Sequence, residues 1–401
     1  MDVRPLARQN PAAAPEFMPQ PQNRKPAPPR VDELDGLRGM LALWVAISHI
    51  VCWCGFSLFP LALPHVLRST ANGLWQQFSY ANGAVDTFII LSGFAISFML
   101  HARPQTYGQF MTGRFFRIYP VYLLCLLAGL FTVQLMPFVL QSASWHDADY
   151  FATCVRPVLE SEQARPKAHL LSHFTLLYGL IPNQMLPNAI YSLLAPAWSI
   201  TLEWQYYLLA PLLAWLVCRP SGLILLGVVC CGSLVYERYW SGSFLLQKLP
   251  LFLVGIGSFQ LYTHAPALRR FAHRPFVFAG LLLAILAVQW HWVALLVWLA
   301  VFGAVLADPD QPAEQFLLRP RRWLLSPAWQ FIGKISYPLY LVHWPVIIGL
   351  LAGLISWCPG ISQIQALAIL LVAGLPVIVL SAWLLHRWVE KPLMRYGKKF
   401  A

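Results

Sequence analysis

Leu34-Asp35-Gly36-Leu37-Arg38-Gly39-Met40-Leu41-Ala42-Leu43-Trp44-Val45-Ala46-Ile47-Ser48-His49 is an apolar helical run with an arginine at its mouth and a histidine inside it. His49 follows Arg38 by eleven residues. At about 100° per residue that is three turns plus about 20°, so both side chains lie on one helix face, about 16 Å apart along the axis. Ala42 and Val45 fall between them on that face and are small enough to leave a strip for something slender. An ionisable residue in a spanning helix is costly and marks function by default. The plainer reading is an arginine that snorkels to the interface and a core histidine bonded to a neighbouring hydroxyl or carbonyl. The register of the pair favours function.

The rest of the composition sets this run in a membrane. The chain has 401 residues, is 58% hydrophobic and only 11% charged, about half the charge of an ordinary soluble domain. Long apolar runs, rather than alternating ten-residue strands, predict an all-α polytopic helical bundle and not an outer-membrane barrel. A net charge of +12 raises nucleic acid as a partner, but the cations sit at helix ends where topology explains them. Eight cysteines lie mostly within apolar runs without metal-ligand spacing, so they read as packing residues and no metal is expected.

Residues 1–32 form a proline-rich basic segment without apolar periodicity, which predicts a disordered cytoplasmic tail and no cleavable signal peptide. Spans are expected over about 37–56, 84–100, 119–140, 197–217, 221–236, 244–262, 276–290, 292–307, 331–352 and 364–386, ten in all. Residues 57–82 read as a loop and 394–401 as a short basic cytoplasmic tail. The segment 141–190 is the longest polar one, and a structureless loop of that length is unusual, so short helices or a substrate-handling role are expected there. With both termini in the cytoplasm, all Lys and Arg except Arg68, Arg156, Arg165, Lys167, Arg238 and Lys248 fall on the inner side. No internal repeat is visible, which weakens a transporter built on paired halves.

Several polar groups sit at unexpected depths. Asp86 opens the second span from the outer side and reads either as a helix-start carboxylate or as a functional group. Glu203 lies a full turn inside an aromatic-rich span, which favours a functional or partnered role. On the inner side Arg38, Arg114 and Arg117 form a cationic cluster; the last two, spaced i and i+3, share a face suited to phosphate oxygens, although the positive-inside rule alone also supplies arginines there. Asp35, one turn before Arg38, is placed to hold its guanidinium. His343 is a second intramembrane histidine, for which structural and functional readings stand level.

Taken in order, these stretches resemble acyltransferase family 3 of integral membrane acyltransferases. The resemblance rests on Leu34-Asp35-Gly36-Leu37-Arg38-Gly39 with His49; Val85-Asp86 through Leu91-Ser92-Gly93-Phe94; Arg114 to Tyr122; Trp198-Ser199 to Glu203 and Tyr207; Ile335-Ser336-Tyr337 to His343; and Val389-Glu390-Lys391-Pro392. It spans residues 33–393. Trp204 stands where the family often has a second glutamate, Lys334 replaces a frequent arginine and Pro338 a frequent serine.

The resemblance implies transfer of an acyl group, usually acetyl from acetyl-CoA, to a hydroxyl of a surface polysaccharide, lipopolysaccharide or lipid-linked glycan, in a bacterial cytoplasmic membrane. Joined to the residue reading, acyl-CoA docks with its phosphates near Arg38, Arg114 and Arg117 and its arm runs along Ala42 and Val45 toward His49. His49 then acts as base or acyl acceptor, and Glu203 orients or charge-balances it. Asp35, Asp86, Ser92, Tyr337 and His343 support this site. A flippase using the same arginines for phosphate and His49 as proton relay is the rival, and a silent scaffold a third possibility.

Overall fold

A computed structural model describes residues 31–56, 75, 78, 81–102, 105–143, 145, 152, 155–232, 239, 240, 242–264, 291–307, 310, 311 and 314–400. Residues 1–30 of the tail expected over 1–32, most of the 57–82 loop and the whole expected span 276–290 therefore lie outside the described residues. What is described is all-helical. Its helices are α1 (Glu33–Trp53), α2 (Asn82–Ala102), α3 (Tyr107–Ser142), α4 (Arg156–Ala164), α5 (Pro166–Phe174), α6 (Trp198–Val217), α7 (Pro220–Cys231), α8 (Leu245–His264), α9 (Trp292–Leu306), α10 (Gln315–Leu324), α11 (Pro327–Trp357) and α12 (Gln363–Gly397).

Six of these, α1, α2, α3, α8, α11 and α12, are long and apolar enough to cross a membrane, each matching or exceeding the about 20 residues that a hydrocarbon core of about 30 Å requires. The chain is thus a polytopic helical membrane protein. Six helices qualify among the described residues, where ten spans are expected. Helix α6 carries Glu203 and Gln205 in its first half, while α7 and α9 are apolar but short.

Two parallel helix pairs organise the bundle. In the first, α1 lies beside α11 so closely that a Cβ on Gly333 would sit 2.0 Å from the Asp35 carbonyl oxygen. In the second, α2 lies beside α8, and a Cβ on Gly255 would sit 2.0 Å from the Ile90 carbonyl oxygen. Only glycine permits backbones to approach at this range. Each pair keeps a constant register, so Gly39 faces Gly333 as His49 meets His343, and Gly93 faces Gly255 as Asp86 meets Lys248.

Helix α3 starts about three turns earlier than the span expected at 119–140. The expected basic connection is therefore helical from Tyr107 onward, opened by a capping box in which Gln109 N–H donates to Thr106 Oγ1 and Thr106 N–H to Gln109 Oε1. Arg114 and Arg117 consequently sit on a rigid element.

The long polar segment does fold into short helices. Helices α4 and α5 are clipped to the loop that follows: Ser161 Oγ donates to the Pro187 carbonyl (2.6 Å), and Leu193 N–H donates to Glu162 Oε1 (2.7 Å). Tyr119 and Tyr122 of α3 donate their hydroxyls to the Phe174 and His173 carbonyls, which ties this unit down on the bundle.

Candidate active site

His49 reaches the interior of the bundle because α1 and α11 run in register from their glycine contact. Its Nδ1 stands 2.8 Å from Nε2 of His343, with the rings parallel to within 3°. The other ring nitrogen of His343, Nδ1, lies 3.2 Å from the Leu339 carbonyl oxygen one turn earlier. A carbonyl only accepts, so that nitrogen carries the proton. A neutral His343 then has a bare Nε2, which accepts the Nδ1–H of His49. The consequence falls on His49: its Nε2 is left with a free lone pair. His343 is fully buried, whereas His49 is partly accessible and rests edge-on against Trp344 (5.3 Å between centroids). This is one accessible basic nitrogen held in a fixed tautomer by a buried partner.

Arg38 donates to Asp35 Oδ1 at 2.8 Å, as the one-turn spacing suggests, and its guanidinium stays about a quarter exposed. It opens on a cavity of about 180 Å³ lined by Val31, Leu34, Asp35, Phe94, Ala95 and Phe98, between α1 and α2. The strip along Ala42 and Val45 does not take this form. Both residues are fully buried, so the α1 face between Arg38 and His49 is packed shut.

Arg114 lies over the Tyr207 ring, 5.7 Å from its centroid, and its Nε is buried with no hydrogen-bond partner among the described residues. Arg117 is within electrostatic range of Glu390, Tyr207, Glu203 and Asp35. Three guanidiniums therefore converge from α1 and α3, with donor hydrogens still available.

Glu203 belongs to this cluster and not to the histidines. It accepts from Tyr207 Oη and, at 3.3 Å, from Ser92 Oγ. Helix α6 directs it toward α2 and the arginines, while the orienting place beside His49 is taken by His343. Tyr337 donates to the Ile118 carbonyl (2.6 Å), pinning α11 to α3 next to the arginine turn. Asp86 is neither a helix cap nor part of the cluster: its two oxygens bind Lys248 Nζ (3.0 Å) and His291 Nδ1 (2.6 Å), tying α2, α8 and the start of α9 together.

The sequence assigns no role to Glu390, which enters only as part of a motif, or to Tyr340. Glu390 is almost fully buried, accepts from His386 Nδ1 at 2.7 Å and closes a π-turn of α12. Such turns recur at functional sites, and a glutamate beside lysine at the end of an apolar run was the available signal. Tyr340 Oη accepts from Ser199 Oγ and donates to the Pro196 carbonyl, both at 2.8 Å, fixing the start of α6 against α11 one turn before His343.

No curated protein and no solved structure matches this chain. A family model described as an acyltransferase domain matches residues 31–387, nearly the whole length, and covers the residues of the site just described except Glu390. The chain belongs to that acyltransferase family, acyltransferase family 3, and is a membrane acyltransferase.

Proposed function

We propose that this enzyme takes a short acyl group, acetyl in the simplest case, from acyl-CoA and passes it to a hydroxyl of an extracytoplasmic polysaccharide, lipopolysaccharide or lipid-linked glycan. The observation that supports it most is the 2.8 Å contact between His49 and His343, which leaves His49 Nε2 unprotonated. That lone pair takes the acceptor's hydroxyl proton as its oxygen attacks the thioester carbonyl. The carbon–sulfur bond breaks, and the imidazolium returns the proton to the departing thiolate, giving ester and free CoA. On a two-step route the same nitrogen attacks the thioester carbonyl first, the carbon–sulfur bond breaks and CoA leaves as thiolate; the acceptor oxygen then displaces the acyl group from the imidazole, and its proton goes to the thiolate. His343 takes the part of the orienter in a nucleophile–base–orienter arrangement.

The donor's phosphates are assigned to Arg38, Arg114 and Arg117, whose planar forks suit phosphate oxygens. The pantetheine arm enters by the cavity beside Arg38, on the side of Phe94 and Ala95, and covers about 16 Å to reach His49. Ten spans, with both termini in the cytoplasm of a bacterial inner membrane, put the arginines inside and residues 141–190 outside. In this reading residues 33–393 are the catalytic domain, flanked by tails 1–32 and 394–401.

The test uses sealed proteoliposomes of one orientation, labelled acetyl-CoA and a glycan acceptor on either side. Label transfer is expected only with CoA on the arginine side and acceptor on the opposite side, and none is expected from His49→Ala. Unchanged transfer by His49→Ala overturns the catalytic assignment. An acceptor that reacts equally well when confined with the CoA overturns the cross-membrane arrangement.

A further inference from the structure

Helix α10 (Gln315-Phe316-Leu317-Leu318-Arg319-Pro320-Arg321-Arg322-Trp323-Leu324) lies between two apolar helices, α9 and α11, and is too short to span. At about 100° per residue its side chains divide into three sectors. Leu317 and Leu324 face the protein, and Leu324 is buried. Phe316 and Trp323 share a second sector and are 69% and 48% exposed. Gln315, Arg319 and Arg322 form the third, and all three are exposed.

The helix is anchored at the mouth of α1. Arg321 Nε donates to Glu33 Oε1 at 2.7 Å. The Leu324 carbonyl lies so close to Gly36 that a Cβ there would be 2.1 Å from its oxygen, and Gln330 Nε2 donates to that carbonyl at 3.0 Å. Arg321 is thus committed to the protein. Among the described residues Arg322 makes only a local contact, from Nε to the Leu318 carbonyl at 3.4 Å. Among the described residues no carboxylate pairs with Arg319 or Arg322.

We propose that α10 lies in the membrane interface on the Arg38 side, and that Arg319 and Arg322 bind the phosphate of an anionic phospholipid while Phe316 and Trp323 enter the acyl region. Aromatic and cationic side chains on adjoining sectors fit a surface that is apolar beneath and anionic above. A soluble phosphate compound offers nothing for the two exposed rings, which is why a lipid is the occupant. Through Arg321–Glu33 and Leu324–Gly36 the bound lipid sets the position of the α1 mouth that carries Arg38.

The experiment measures lipid binding to the full-length protein in detergent, by native mass spectrometry and by melting temperature. The probes are phosphatidylglycerol, phosphatidylcholine and inorganic phosphate. Phosphatidylglycerol alone is expected to be retained and to raise the melting temperature. The double variant Arg319→Gln/Arg322→Gln leaves Arg321 and the anchored face untouched. It is expected to melt like wild type without lipid and to bind phosphatidylglycerol about thirtyfold more weakly, at about fivefold per arginine near the surface. Equal retention of both lipids, an unchanged double variant, or inorganic phosphate reproducing the stabilisation would each overturn the proposal. If the double variant proves unstable, Phe316→Ser gives a second arm, since weaker retention of phosphatidylglycerol is expected there too and unchanged retention counts against the interfacial placement.

Discussion

His49 and His343 each stand ten residues beyond the glycine at which their helices touch, Gly39 and Gly333, and their ring nitrogens meet at 2.8 Å. A shift of one residue in either helix rotates its histidine by about 100° and breaks the contact. The tight backbone approach is therefore what sets the tautomer of His49. His343→Ala leaves the Nδ1–H of His49 without an acceptor, a loss of about 1–3 kcal/mol or about 5- to 150-fold in kcat. His343→Gln, whose amide oxygen accepts the same hydrogen, is expected to recover part of it. KM for acyl-CoA is expected to hold in both variants; a change confined to KM rules out the orienting role.

Arg38 is the arginine that opens on the cavity, so Arg38→Ala is expected to act on donor binding. Losing a charge-assisted contact to phosphate costs about 1.5–3 kcal/mol, a rise of about 10- to 150-fold in the apparent Kd for acyl-CoA by titration. Arg38→Lys retains charge without the planar fork and is expected to fall between. Unchanged donor affinity in Arg38→Ala moves the CoA site elsewhere.

Asp86 binds Lys248 and His291 with little access to water. Breaking a fully buried pair costs about 3–5 kcal/mol, but Lys248 and His291 keep some exposure, so Asp86→Asn is expected to cost about 2–3 kcal/mol. Adding Lys248→Met should restore most of the loss, because no unpaired charge then remains. Melting curves in detergent read both variants, and an equally unstable double variant counts against this account.

His173 on α5 is stacked on Tyr178 at 4.0 Å and fully buried, and desolvation lowers its pKa to about 4. Because this folded-state value is depressed below the unfolded value near 6.5, the histidine costs nothing above pH about 6.5. Stability is then lost as pH falls from about 6.5 to about 4, by up to about 3 kcal/mol. Nearby Glu162 has its pKa raised by burial and works in the opposite sense. The contribution of His173 is therefore read as the difference between wild type and His173→Gln melting profiles over that window. Parallel profiles would show that His173 is not the titrating group.

The sequence by itself determined the membrane class, the helix that carries Arg38 and His49, the Arg38–Asp35 pair and the family. Each follows from composition or from spacings of a few turns, which a helix converts directly into a shared face. It also led to short helices within 141–190, because so long a segment rarely stays without structure. Only the tertiary structure decided what those residues meet. His343 lies 294 positions from His49, and no local period links them; their contact depends on two backbones closing at Gly39 and Gly333. The depth of Glu203 points to a functional or partnered role and the family resemblance joins it to His49, but depth does not specify rotation about the helix axis. The packing of α6 against α2 and α3 supplied that angle and turned Glu203 toward Ser92, Tyr207 and the arginines. Ala42 and Val45 are small, yet whether small residues leave a channel or admit a neighbour depends on the helix packed against them, and here the neighbour fills the space.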